Sequence, residues 1–144
     1  MTIDAQSSLE ADIPGCVVDA AVSEQWGAGI ETAEQLRASG ELGAEVVVAL
    51  GTNGVVTDSD FQQMMAALSG VSRVVFVTNH VPRSWEEGNN AVIVNDATRY
   101  ATARVADWNT AANAHPEWFY SDGTHMPEGG AGAAAFAALV KAQL

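Results

Sequence analysis

The sequence predicts an α/β fold, a three-layer α/β/α sandwich around a parallel sheet. Short β-branched runs alternate with segments of helical spacing along the whole chain, the signature of repeated βα units. One run, Ala44-Glu45-Val46-Val47-Val48-Ala49-Leu50, is almost continuously apolar, as a strand covered by helices on both faces must be. With 144 residues, 48% hydrophobic and 17% charged, the chain is long and apolar enough for one domain with a real core.

The elements follow in order. Thr2 to Asp12 reads as a short helix burying Ile3, Leu9 and Ile13, and Pro14-Gly15 breaks it. Cys16 to Val22 is a strand by its β-branched content, and Ser23 to Gly27 is the loop at its carboxyl end. Ile30 to Ala38 is a helix, stopped by Gly40 in the C-terminal cap position. The apolar run to Leu50 is the next strand, followed at once by Gly51-Thr52-Asn53-Gly54. Thr57 and Asp60 form a capping box for a helix with Phe61, Met64, Met65 and Leu68 on one face. Val74 to Thr78 is a strand, and its loop, Asn79 to Glu87, carries His80, Pro82, Arg83 and Trp85. A helix over 89–103, a short strand over 104–108 and a short helix over 109–114 come next. A closing helix spans about Glu128 to Gln143, with Pro127 in its first turn and a tightly packed Ala/Gly-rich stretch from Gly129 to Ala138.

Composition excludes several functions. The net charge of -12 argues against binding nucleic acid through its phosphates and against an anionic membrane surface. Cys16 is the single cysteine, so no internal disulfide and no cysteine-based metal site can form. No apolar run approaches the roughly 20 residues that span a bilayer. No basic segment followed by an apolar one marks a secretory leader at the N-terminus.

The chemistry concentrates in Ser121-Asp122-Gly123-Thr124-His125-Met126-Pro127. An aspartate three residues before a histidine can hold one imidazole nitrogen while the other faces a hydroxyl, the base half of a nucleophilic site. The same residues also suit a turn that caps the last helix. In parallel sheets ligands bind at the carboxyl ends of the strands. Ser23–Gly27, Gly51–Gly54 and Asn79–Glu87 all follow strands, so these loops are expected to converge with Ser121–Pro127 on one edge. Arg83 and Trp85 suit either a sugar-binding groove or surface packing. His80 and His115 lack a second ligand at metal-like spacing and read as structural. Ser7 and Ser8 fall inside the first helix, not on a strand-to-helix elbow, and do not read as nucleophiles.

The order of these loops resembles the SGNH hydrolases, or GDSL-type esterases. Leu50-Gly51-Thr52-Asn53-Gly54 is similar to that family's third block, and Asp122-Gly123-Thr124-His125 to its fifth, Asp-x-x-His. The resemblance is closer to the extracytoplasmic SGNH domain of membrane acyltransferases that O-acetylate peptidoglycan or other surface glycans. That branch resembles this chain in Val22-Ser23-Glu24-Gln25, in Val81-Pro82-Arg83 with Trp85, in the Asn-rich helix start, in Asp107-Trp108, and in His115-Pro116 ahead of Trp118-Phe119. The similarity covers nearly the whole chain.

The resemblance implies a flavodoxin-like parallel sheet and a Ser-His-Asp mechanism without metal or organic cofactor. It implies His125 as general base and Asp122 as its orienting carboxylate, with Asn53 and Ser23 holding an oxyanion and Gln25, Arg83 and Trp85 contacting substrate. The partners implied are an acyl donor, a glycan or small-ester acceptor and a membrane acyltransferase domain upstream in a longer protein, with an extracytoplasmic location. One departure stands out: the family's first block, a strand ending in Gly-Asp-Ser, is absent from this sequence. Met1-Thr2-Ile3-Asp4 resembles the start of the helix after that turn. The expectation is a single SGNH-like domain over residues 1–144 that lacks its first strand, either because the start was set at an internal methionine or because the natural product lacks it. Two other readings remain open: an inactive glycan- or partner-binding module, and a small-ester or lipid esterase of the same fold.

Overall fold

The computed structural model describes all 144 residues and contains three parallel strands and six α-helices. The strands are β1 (Glu45–Val48), β2 (Arg73–Val77) and β3 (Ala103–Ala106), in spatial order β1-β2-β3. Val46 lies opposite Val74 and Val48 opposite Phe76; Val75 lies opposite Arg104 and Val77 opposite Ala106. The helices are α1 (Gln6–Asp12), α2 (Trp26–Ser39), α3 (Asp58–Ala67), α4 (Glu86–Ala97), α5 (Trp108–Asn113) and α6 (Ala131–Lys141), with a 3₁₀ turn at Pro116–Trp118.

Period-two alternation along the strands divides the core in two. Val48, Val74, Phe76 and Ala103 face one way and meet α2, α3 and α4. Val75, Val77 and Ala106 face the other way and meet α1, α5 and α6. The three-layer sandwich expected from the alternation is therefore present. Phe61 of α3 centres the first core, its ring 4.3 Å from Phe76 and 6.0 Å from Tyr100, with Trp26 beside both phenylalanines. Trp108 centres the second, stacked 5.8 Å from Trp118 and edge-on to Phe136 at 5.1 Å. In the last helix a Cβ at Gly132 would lie 2.8 Å from both the Met126 sulfur and the Trp118 Cβ, so this close approach requires glycine. The Thr57–Asp60 capping box forms as read.

Several boundaries move. Cys16–Val22 forms no strand: it is irregular, with Val17 89% exposed and Val22 85% exposed. A β-branched run becomes a strand only beside a partner, and β1, the nearest sheet edge, pairs with β2 alone. The second helix begins early, at Trp26, because the indole inserts into the core and its Nε1–H donates to the Asp60 carbonyl at 3.0 Å. The helix expected over 89–103 runs 86–97, since Glu86 and Glu87 suit its first turn. The last helix starts at Ala131; Pro127 to Gly130 instead closes a turn in which the Gly130 N–H donates to the Pro127 carbonyl at 3.0 Å. Ile3 is 42% exposed and not buried.

Two substitutions separate core packing from local capping. Phe61→Ala is expected to lower the unfolding free energy by about 3–5 kcal/mol. Thr57→Ala, which removes one cap, is expected to lower it by about 1 kcal/mol. Urea unfolding followed by far-UV circular dichroism measures both.

Candidate active site

Parallel strands bring all their carboxyl ends to one edge of the sheet, and the loops singled out in the sequence gather there. Ser23, Asn53, Arg83, Trp85, Asp122 and His125 all line one cleft of about 1330 Å³. Gln25 does not line it; its backbone carbonyl starts α2 and its side chain lies against Gly54.

The loop before α6 is shaped by Asp122. Its Oδ1 accepts the backbone N–H of Thr124 at 2.9 Å and of His125 at 3.0 Å, while its Oδ2 lies 2.8 Å from His125 Nδ1. One carboxylate therefore builds the turn and orients the imidazole. The backbone N–H groups of His125 and Thr124, with the His125 ring, hold the Asp122 carboxyl down to about 2. The turn is closed from outside by the Tyr120 N–H donating to the His125 carbonyl at 2.9 Å. With Nδ1 engaged, His125 Nε2 has no partner within the protein and is free for a ligand. The pair stands at the cleft mouth, 60% and 51% exposed.

Asn53 and Ser23 come together through a bond between their loops: Asn53 Nδ2 donates to the Glu24 carbonyl at 3.0 Å. Its second amide hydrogen remains free for an incoming oxygen. Ser23 has φ 62°, the one non-glycine residue in the left-handed region, a conformation costing on the order of 1 kcal/mol or more.

The loop carrying Asn53 is held by residues the sequence reading did not single out. Asn89, buried in α4, donates through Nδ2 to the carbonyls of Gly51 (2.9 Å) and Gly54 (2.8 Å) and accepts the Val56 N–H at 2.7 Å. All the chemistry of one side-chain amide thus goes into clamping one loop. Gly51 adopts φ 115°, and a Cβ there would lie 2.7 Å from the Asn79 side chain. Asn79 is itself buried and tied to two helices: its N–H donates to Asn90 Oδ1 at 2.6 Å, and its carbonyl accepts from Asn90 Nδ2 at 2.9 Å and Asn109 Nδ2 at 2.7 Å. Asp107 caps α5 and accepts from the Thr78 hydroxyl at 3.0 Å. Burial pushes the Asp107 carboxyl up, but hydrogen bonds from Thr110 and Thr78 outweigh it and the net displacement is downward. The cluster of asparagines at the start of α4 was the available signal.

Arg83 is exposed and has no carboxylate partner, whereas Trp85 is half-buried on the cleft wall. His80 does not line the cleft. Its ring packs 4.6 Å from Phe119, and burial lowers its pKa against the opposing pull of Glu86. His115 stacks 4.1 Å from Trp118 and pairs with Glu117 at 2.8 Å, a structural use.

Two outcomes follow from this geometry. A carboxyl depressed in the folded state stabilises the fold above its unfolded value, and that contribution disappears as pH falls through the folded value. The Asp122 contribution is therefore complete above about pH 4 and lost between about 4 and 2. A carboxyl-carbon NMR titration is expected to place its midpoint near 2. Asn89→Leu strands two carbonyls and one N–H, and is expected to destabilise by about 3 kcal/mol or more with faster amide exchange at Val56.

No protein-family model matches the chain. It is 30% identical over 129 residues to YrhL of Bacillus subtilis, covering 90% of this chain and 20% of that protein. It is 28% identical over 138 residues to the peptidoglycan O-acetyltransferase OatA of Listeria monocytogenes, covering 96% of this chain and 22% of that protein. With the O-acetyltransferase OatA of Staphylococcus aureus it shares 30% identity over 129 residues, 89% of this chain and 21% of that protein. The chain thus spans about a fifth of the length of these relatives. Among solved structures, the C-terminal catalytic domain of Streptococcus pneumoniae peptidoglycan O-acetyltransferase A, bearing a methylsulfonyl adduct, superposes with a TM-score of 0.90. That match is 23% identical and covers 99% of this chain and 87% of that one. The chain has the fold of that C-terminal domain, and the relatives it matches over about 90% of its length carry the names of O-acetyltransferases.

Proposed function

We propose that this chain forms the base and oxyanion part of a serine-type O-acetyltransferase domain acting on a cell-wall glycan outside the cytoplasm. The observation that carries this reading is the His125–Asp122 pair, Nδ1 to Oδ2 at 2.8 Å, on the wall of the cleft that Asn53 and Ser23 also line. In this reading the nucleophile is a serine hydroxyl brought beside His125 by a segment outside residues 1–144. A membrane acyltransferase domain in the same longer polypeptide delivers the acyl group.

The reaction is ping-pong. The serine oxygen attacks the carbonyl carbon of an acetyl donor, and its proton passes to His125 Nε2. Asn53 Nδ2 and the Ser23 backbone N–H donate to the oxygen that gains charge. The donor's carbon–oxygen bond breaks, and its alcohol leaves with the proton from His125. A sugar hydroxyl then attacks the acetyl-serine, gives its proton to His125, and the serine takes that proton back as it departs. Asp122 keeps Nε2 pointed at the reacting oxygens and stabilises the imidazolium. Trp85 offers an apolar face and Arg83 a free guanidinium to the sugar.

The test is p-nitrophenyl acetate turnover with intact-mass detection of an acetyl-enzyme. Residues 1–144 are assayed alone and with a strand ending in Gly-Asp-Ser placed before Met1. Only the extended form is expected to turn over and gain one acetyl group. In that background His125→Ala is expected to remove turnover, and Asn53→Ala to lower kcat by about 10²–10³. A second reading, a glycan-binding module without turnover, draws on the absence of Gly-Asp-Ser from the sequence. It moves ahead if the extended form stays inactive while calorimetry shows the chain binding peptidoglycan fragments.

A further inference from the structure

We infer that Arg83 selects acceptor glycans that carry one carboxylate close to the reacting hydroxyl, by pairing its guanidinium with that carboxylate at the cleft. The inference deepens the O-acetyltransferase reading and rests on it for the glycan and for the hydroxyl that reacts.

The first observation is that Arg83 is uncommitted where every other arginine is engaged. The chain holds 18 carboxylates and only six lysines and arginines, so a cation here has many partners to choose from. Arg37 donates to the Ala66 carbonyl at 2.7 Å and the Ser69 hydroxyl at 3.3 Å. Arg73 pairs with Glu45 at 2.9 Å, and Arg99 with the buried Asp96 at 3.0 Å. Arg104 donates to the Ala103 and Ala101 carbonyls at 2.7 and 3.0 Å. Arg83 reaches only the Pro82 carbonyl of its own loop, at 3.4 Å. Its guanidinium can close on a ligand without first breaking an ion pair.

The second observation is where the loop holds it. The backbone on either side of Arg83 is fixed: its N–H donates to the Val81 carbonyl at 2.7 Å, and its carbonyl accepts the Glu86 N–H at 3.2 Å. The Glu86 side chain, three residues on, is occupied by the Val81 N–H. Pro82 packs against the turn that carries the His125–Asp122 pair, since a Cβ at Gly123 would lie 3.6 Å from Pro82 Cγ. Arg83 therefore leaves the loop next to the reactive pair, and Arg83 and His125 line the same cleft. Trp85, two residues on, lines it too and offers an apolar face. One loop thus presents a surface for a sugar ring and a cation for its substituent.

The third observation selects the substituent. Arg83 is the one lysine or arginine lining the cleft, against Asp4, Glu24, Glu45 and Asp122 among its carboxylates. With a net charge of -12, the surrounding field repels anions. An anionic acceptor therefore needs a local cation, and one guanidinium balances one charge. A carboxylate places two oxygens in one plane, matching the guanidinium fork. A phosphate monoester, with close to two charges at neutral pH, would meet more repulsion from the same field.

The experiment reads binding separately from catalysis. Residues 1–144 are titrated by NMR and calorimetry with a peptidoglycan disaccharide bearing one free carboxylate, and with its methyl ester, which keeps the sugars and removes the charge. The acid is expected to bind about 10-fold more tightly or better, with shifts at Arg83 and at the His125 ring. Arg83→Gln is expected to bring the acid down to the affinity of the ester and to leave the ester unchanged. Arg83→Lys is expected to keep an intermediate preference, because an ammonium carries the charge without the fork. Raising salt is expected to narrow the preference at this exposed site. Urea unfolding of Arg83→Gln is expected to match the parent, so that a lost preference is not a folding defect. Equal affinity for acid and ester overturns the inference and leaves the O-acetyltransferase reading standing. A preference for the acid that survives Arg83→Gln also overturns it, because another group would be the selector. Displacement of the acid by inorganic phosphate at equal concentration overturns it as well, since the site would then be a phosphate site. Binding of neither sugar overturns it, and the acyl-transfer reading is then judged by acetyl-enzyme formation alone.

Discussion

All the chemically interesting side chains of this protein depend on the three strands running the same way. In a parallel sheet, each strand must be followed by a crossover, and every crossover starts from the same edge. The loops after β1 and β2 therefore leave from neighbouring points, although Asn53 and Trp85 are 32 positions apart in the chain. The loop before α6 reaches the same place by a different route. It is tied to the start of the chain by Asp4 and shaped internally by Asp122. Reversing one strand would send its loop to the opposite end and dissolve the cleft.

Polar burial at that edge is organised to hold loops rather than to bind anything itself. Asn89 spends both its donor and its acceptor capacity on Gly51, Gly54 and Val56. Asn79 and Asn90 lock the loop after β2 against α4, and Asn109 and Asp107 lock it against α5. Asn79 and Asn89 are buried, so each bond missing from them would cost on the order of 1–3 kcal/mol. That penalty holds the loop carrying Asn53 in place. The His125–Asp122 pair, in contrast, is open to solvent and depends on its own short-range geometry.

The His125–Asp122 pair was legible in the sequence because it is local. A spacing of three, with Gly123 allowing φ 67° between them, lets one carboxylate reach both its own turn and the ring. The sandwich was legible because alternation of apolar runs is itself the record of burial on two faces. Cys16–Val22 misled for an equally physical reason: β-branched residues state a preference for a pleated surface, but a strand exists only where another strand offers its edge. Asn89 was not legible as a clamp, since an asparagine in a helix gives no sign of which loop it will meet 35 residues away.

By itself, then, the sequence determined the layer order, the capping of α3, the histidine–carboxylate pair and the family resemblance. All of these rest on contacts between residues close in the chain or on the periodicity of burial. Tertiary structure alone decided that Asn53, Ser23, Arg83 and His125 share a cleft while Gln25 does not. It also decided that β1 keeps a free edge inside that cleft. Those facts depend on how distant segments stack and which backbone groups remain unpaired, and no local pattern encodes them.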